Sequence, residues 1–231
     1  MAASVLPVPS PNPQPPDRAA LARALSEAMA AVHRRGWCEG TGGNFSCVLR
    51  RNPLALLMAP SGVDKGTVPP EALLTVDGSG AVLQGHGRAS DETLLHLAIV
   101  DCTGAGAVLH THSQAGTLLS RHHGPSQDGV GELALRDLEM LKGLEGVHTH
   151  ATEVVVPVLA NDQDLQRLSA RARPLLAEAP MGLLIAGHGL YAWGKDLQQA
   201  QRHIEIHEFL LEQQWRQLLL EGLLNRRVAQ P

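Results

Sequence analysis

Between Asn44 and Trp193 the apolar residues come in short runs bounded by Gly, Pro, Asn and Ser, with segments of helical period set among them. Runs this short suit strands buried in a sheet, and none is long enough to cross a bilayer. The pattern predicts strands over Asn44–Arg50, Leu54–Ala59, Leu73–Asp77, Ala105–Thr111, Glu153–Leu159, Gly182–Ala186 and Leu190–Trp193. A first helix is expected from Asp17 to Gly36, where Leu21, Ala24, Leu25, Ala28 and Val32 fall at helical spacing. Further helices are expected over Asp91–Val100, Ser113–Arg121 and Asp162–Glu178. The last helix is the longest, with Leu197, Ala200, Ile204, Leu211, Trp215 and Leu218 repeating along one face. Strands and helices mix without strict alternation, which predicts an α/β domain of residues 17–225 built around one sheet. A chain of 231 residues that is 44% hydrophobic can bury such a core without disulfides.

The flanks read differently. Residues 1–16 hold six prolines and can form neither helix nor sheet ladder, so a mobile arm is expected there. Residues 226–231 read as a tail, and the Gly124–Gly131 stretch as the most mobile internal loop. The formal net charge of −4 leaves no basic excess to meet a nucleic acid or a membrane surface. The N-terminus lacks the basic and apolar regions of a signal peptide. Cys38, Cys47 and Cys102 form no CxxC pair and are odd in number; they read as small buried hydrophobes in a reducing cytoplasm.

The sharpest chemical feature is His110-Thr111-His112, which ends the apolar run Ala107-Val108-Leu109. On a strand, residues i and i+2 face the same side, so two imidazoles project together. They are either two metal ligands, suited to Zn²⁺ or its first-row neighbours, or two polar residues at a strand end. The same tripeptide recurs as His148-Thr149-His150. That copy follows the polar connector Lys142–Gly146 and reads as an exposed approach to a strand. Gly187-His188-Gly189 is a hairpin turn with an incidental histidine, or a third ligand that its glycines let the backbone bring close. The loops Thr41–Ser46 and Ala59–Lys65 are ordinary turns or phosphate cradles, and neither follows a P-loop or GxGxxG pattern. Ser90, Asp91 and Glu92 open a helix, where they satisfy its cap and dipole or receive an anion. Glu139, within Leu138–Gly143, either faces solvent or serves as an acid/base.

Taken in order, these motifs resemble the class II aldolase/adducin family: a GTGGNxS loop, an APSG loop, a helix opening SxE, the HTH pair, then GHG. The resemblance covers about Asp17 to Leu218. It implies a single α/β domain with a central, mostly antiparallel β-sheet flanked by helices, assembled as a homotetramer with sites near subunit interfaces. It implies one Zn²⁺ per subunit on His110, His112 and His188. It also implies a small phosphorylated ketose as substrate, its phosphate held by Gly43, Asn44, Ser61, Gly62 and Ser90, with Lys65 nearby. Asp91 departs from the family's small hydroxyl residue and would repel a phosphate if it pointed inward.

Within the family, the stretches 59–65, 104–113, 138–143, 155–158 and 187–194 match its dehydratase branch, which implies Glu139 as acid/base. Glu92 stands where family aldolases carry theirs. Family aldolases and epimerases use a tyrosine after the HxH pair or near the C-terminus. This chain has one tyrosine, Tyr191, with none between His112 and His188 and none beyond 191. Dehydration is therefore expected over aldol cleavage or epimerisation. The adducin-like members, which lack the metal residues, mark a non-catalytic interaction module as the remaining alternative.

Overall fold

The computed structural model describes residues 17–125 and 129–228. The expected N-terminal arm, the middle of the Gly124–Gly131 loop and the last three residues lie outside the described residues. Nine strands form one sheet: β1 (Asn44–Arg51), β2 (Leu54–Met58), β3 (Leu74–Asp77), β4 (Val82–Gln84), β5 (Ala107–Thr111), β6 (Val130–Arg136), β7 (Glu153–Leu159), β8 (Gly182–Ile185) and β9 (Gly189–Gly194). Their spatial order is β4-β3-β2-β1-β5-β9-β8-β7-β6. Every adjacent pair is antiparallel except β7 with β8.

Period-two alternation sorts the strand residues between two apolar layers. Phe45, Cys47, Leu57, Leu109, Leu184 and Ala192 face helices α1 (Arg18–Arg34), α3 (Gln114–His123) and α5 (Leu197–Val228). Leu56, Met58, Val108, Leu183, Tyr191 and Trp193 face α2 (Thr93–Thr103) and α4 (Leu165–Leu176). Helices thus cover both faces, and the central strands β5 and β9 are buried throughout.

Local signals set three of the helix starts. The Asp17 side chain accepts from Ala19 N, Ser113 from Gly116 N, and Asp164 from Gln166 N and Arg167 N. The α2 helix begins at Thr93 rather than Asp91. The Ser90 hydroxyl accepts from Glu92 N at 3.3 Å, and the Ser90 carbonyl accepts from Thr93 N at 3.0 Å. Glu92 therefore occupies the cap position and leaves its carboxylate free for other partners. The α4 helix is shorter than expected at both ends.

Other departures come from tertiary pairing. The expected loop ends early, because Val130–Arg136 pairs along its whole length with β7. A 3-10 helix over Glu139–Gly143 was not foreseen, and the expected tail is helical through Val228. Cys38 and Cys47 are buried, as read, but Cys102 is exposed. Burial pushes the Cys38 and Cys47 thiols up to about 11 and about 12. No helix among the described residues is long and apolar enough to cross a membrane.

Candidate metal centre

Asn44, His110 and Tyr191 lie in one row across β1, β5 and β9. His110 projects into the α2/α4 layer, where its ring stacks on Tyr191 at 3.9 Å and 9°. Its Nδ1 lies 2.9 Å from the carbonyl of Leu190. Donation to that carbonyl fixes the tautomer and leaves Nε2 with a free lone pair. His112 continues past the strand end, its backbone N–H held by Trp37 O at 2.7 Å, and its Nε2 lies 2.8 Å from that of His110.

His188 sits in the β8–β9 turn, its N–H donating to Ile185 O at 3.0 Å. Its ring is 4.9 Å from His110 and 4.7 Å from His112. The turn approaches β5 so closely that a Cβ on Gly189 would stand 2.0 Å from Thr111 O, which only glycine permits.

Glu92 completes the group from the start of α2. One carboxylate oxygen lies 2.9 Å from His188 Nε2 and 3.7 Å from His110 Nε2, and the other accepts from the Asn44 amide. One donor atom from each of Glu92, His110, His112 and His188 lies within 4.8 Å of the others. Burial pushes the Glu92 carboxyl up, but the His188 hydrogen bond and the charges of His110, His188 and His112 outweigh it and hold the group at about 2. Burial drives His110 well below the usual histidine range and His112 down to about 4. His110 and His112, kept from protonating by burial, beside an ionised Glu92 and with the His110 Nε2 lone pair pointing inward, fit a divalent first-row cation.

Of the loops expected to cradle a phosphate, the first lies against this cluster, and the second is tied to that loop through Lys65 and to Arg88 through Ser61. Ser61 N donates to Arg88 O at 2.8 Å, and Arg88 Nη2 to Ser61 Oγ at 3.3 Å. Asp91, the residue out of place beside a phosphate, is paired with Arg88 at 2.7 Å. Lys65 is buried, its ammonium on the carbonyls of Thr41 and Val63 at 3.0 and 2.9 Å. Arg88 gave no sequence signal beyond its nearness to Ser90.

Glu208 was missed too, although it left a trace. It lies four residues after Ile204 and three before Leu211, on the line of the α5 apolar stripe. It is buried against the opposite side of β5, where it accepts from the Thr111 hydroxyl. Burial raises its carboxyl to about 7, against hydrogen bonds from Ser113 and Thr111.

Glu139 does not join the cluster of its own chain. Of the two readings of its place, solvent holds: the side chain is 69% exposed and paired with Lys142, with His150 at 3.7 Å. The Lys142 hydrogen bond lowers its pKa. Leu141 is the residue of that stretch that turns inward. His148 and His150 are exposed, as the polar connector before them suggested.

Residues 23–215 match the Class II Aldolase and Adducin N-terminal domain, and the chain belongs to that family. Among curated relatives, the methylthioribulose-1-phosphate dehydratase of Methylococcus capsulatus is 43% identical over 194 residues, 83% of this chain and 91% of that one. The methylthioribulose-1-phosphate dehydratase of Azotobacter vinelandii is 39% identical over 210 residues, 90% of this chain and 98% of that one. Among solved structures, the L-fuculose-1-phosphate aldolase of Thermus thermophilus superposes with a TM-score of 0.67 at 27% identity, covering 90% of this chain and 98% of that one. YgbL of Escherichia coli gives a TM-score of 0.71 at 25% identity, over 84% and 88% of the two chains.

Proposed function

We propose that this chain is a hydro-lyase that removes water from 5-methylthioribulose 1-phosphate, giving 2,3-diketo-5-methylthiopentyl 1-phosphate in methionine salvage. One Zn²⁺ per subunit is held by His110, His112 and His188. The observation that carries this reading is the pairing of an intact Glu–His₃ cluster with a single phenol that has no exposed surface. Tyr191 is fully buried, its ring stacked on His110 and its hydroxyl beside Glu92, so it offers no exposed surface to a substrate as proton donor. Relatives at about this level of identity over most of the chain bear the dehydratase name, which supports the same choice. The complete cluster counts against an adducin-like interaction module.

A zinc ion held by His110, His112 and His188 would supply Lewis acidity to the ketose, which would make the C3 hydrogen acidic. Glu92, ionised and oriented by Asn44 and His188, takes that proton. Glu139 donates a proton to the C4 hydroxyl, which leaves as water, and the resulting enol tautomerises to the diketone. Gly43, Asn44, Ser61, Gly62 and Ser90 hold the phosphate through backbone N–H groups and polar side chains, with Lys65 beneath them. Because Glu139 is exposed and outside its own chain's cluster, it acts on the site of a neighbouring subunit in a cytoplasmic homotetramer.

The test is to incubate the zinc-loaded protein with methylthioribulose 1-phosphate and, separately, with a sulfur-free pentulose phosphate. Diketone formation from the first is expected; a retro-aldol aldehyde from either would replace dehydration with aldol cleavage. Mixing inactive Glu139→Gln and His110→Ala subunits should restore activity. No recovery in verified mixed oligomers would place Glu139 and the metal in the same subunit.

A further inference from the structure

We propose that Lys65 is a positioning residue that clamps the 41–44 loop onto the Glu–His₃ cluster, so that this loop and the cluster move as one unit. The proposal rests on the reading above that this loop serves the substrate and that the cluster binds a metal. Lysine is almost never fully buried without a counter-charge. Lys65 is 1% exposed, yet no carboxylate among the described residues lies within ion-pair distance of its ammonium. Its two protein partners are backbone carbonyls from two different loops, Thr41 at 3.0 Å and Val63 at 2.9 Å. A buried ammonium held this way costs more desolvation than an apolar side chain of the same length. Cross-linking the two loops is what it contributes in return.

The loop that begins at Thr41 touches three of the four cluster members. A Cβ on Gly42 would stand 3.0 Å from His112 Nδ1. One on Gly43, whose φ is +79°, would stand 2.7 Å from His110 O. The Asn44 amide donates to Glu92. Lys65 touches none of these ligands directly; it fixes the end of the loop that does. Release of Thr41 O frees the loop from the His112 ring and loosens the Asn44 hold on Glu92.

The deciding measurement is the set of histidine ring NMR signals of the full-length, metal-free protein, which needs no bound metal. Lys65→Met should move the His110 and His112 signals while leaving those of His203 and His207 in place. The latter pair are buried on α5, with ring nitrogens on Trp193 O and Pro180 O. Gly42→Ala, which presses on His112 from the loop side with Lys65 intact, should move the His112 signal as well. In the Co²⁺-loaded protein, Lys65→Met should alter the visible spectrum. In the zinc form it should lower kcat/KM by about 10²-fold, the size of a misplaced reacting group.

Unmoved His110 and His112 signals in folded Lys65→Met overturn the proposal, and so does a shift that spreads equally to His203 and His207. If Lys65→Met does not fold, Lys65→Gln, which keeps a donor for one carbonyl, decides by the same signals. Failure of the parent protein to bind Co²⁺ would sink the metal reading instead, while the ring signals still judge Lys65.

Discussion

The chain carries the tripeptide His-Thr-His twice, and the two copies sit in opposite surroundings. In the first, His110 is fully buried, its ring packed on Tyr191 and its Nδ1 on a carbonyl of the neighbouring strand. Thr111 points through the sheet to the buried Glu208. In the second, His148, Thr149 and His150 are all exposed, and the Thr149 hydroxyl only accepts from Ala151 N at 3.2 Å. Each copy also has its carboxylate. Glu92 is half-buried beside His110 and His188, whereas Glu139 is exposed beside His150. Identical residues at identical spacing thus become a candidate metal site only where a strand buried on both faces fixes the rings and a turn brings a third imidazole.

The strongest way to break this comparison is to remove one histidine from each copy. His110→Ala should weaken divalent metal binding by more than about 100-fold, beyond what losing an outer hydrogen-bond partner costs. His148→Ala should leave metal content unchanged. Metal analysis of the purified variants decides, and full metal in the first with loss in the second would reverse the assignment.

The two carboxylates come next. Glu139→Gln should lower kcat by about 10²–10⁴-fold with metal retained, the usual worth of a general acid. Glu92→Gln should weaken metal binding as well as turnover. A nearly silent Glu139→Gln beside an inactive, metal-replete Glu92→Gln would remove the chemical case for Glu139.

Acid should unfold the metal-free protein partly through the first copy. His112 is held down to about 4 by burial, first of all, and by the charge of His188. The unfolded chain binds a proton at about 6.5. A histidine depressed in the folded state contributes full stability above the unfolded value and loses it as pH falls to the folded one. The loss should therefore run from about pH 6.5 to about 4 and amount to roughly 3 kcal/mol. Glu92, depressed to about 2, adds a further loss below about 4.5 as it protonates. Denaturant melts across this range check both, and a flat stability between pH 6.5 and 4 would contradict the burial of His112.

The smallest contrast lies between the two threonines. Thr111→Val strips a hydroxyl from a buried carboxyl and should cost about 1–3 kcal/mol. Thr149→Val should stay within about 0.5 kcal/mol, as exposed changes do. Equal effects in thermal melts would mean that Glu208 does not depend on Thr111.

Much of this contrast was legible in the chain itself. The apolar run Ala107–Leu109 before the first tripeptide and the polar Lys142–Gly146 before the second already marked one as mounted and the other as exposed. Most strands and all five helices were legible because their periodicity is local. The β6 strand was not, because Val130 and Gly131 read as loop until β7 lies alongside them. Asp91 looked misplaced until Arg88, three residues before it, was seen to pair with it.

The sequence alone determined which side chains share a face, where turns must fall, and that one phenol is all the chain has. These depend on covalent spacing and composition. Tertiary structure alone decided that Glu92 joins the histidines while Glu139 stays in solvent, that Lys65 is buried, and that Glu208 stands behind Thr111. Burial and charge pairing depend on segments far apart in the chain. The distance from Glu92 to His188, or from Thr111 to Glu208, exists only once the sheet has closed between them.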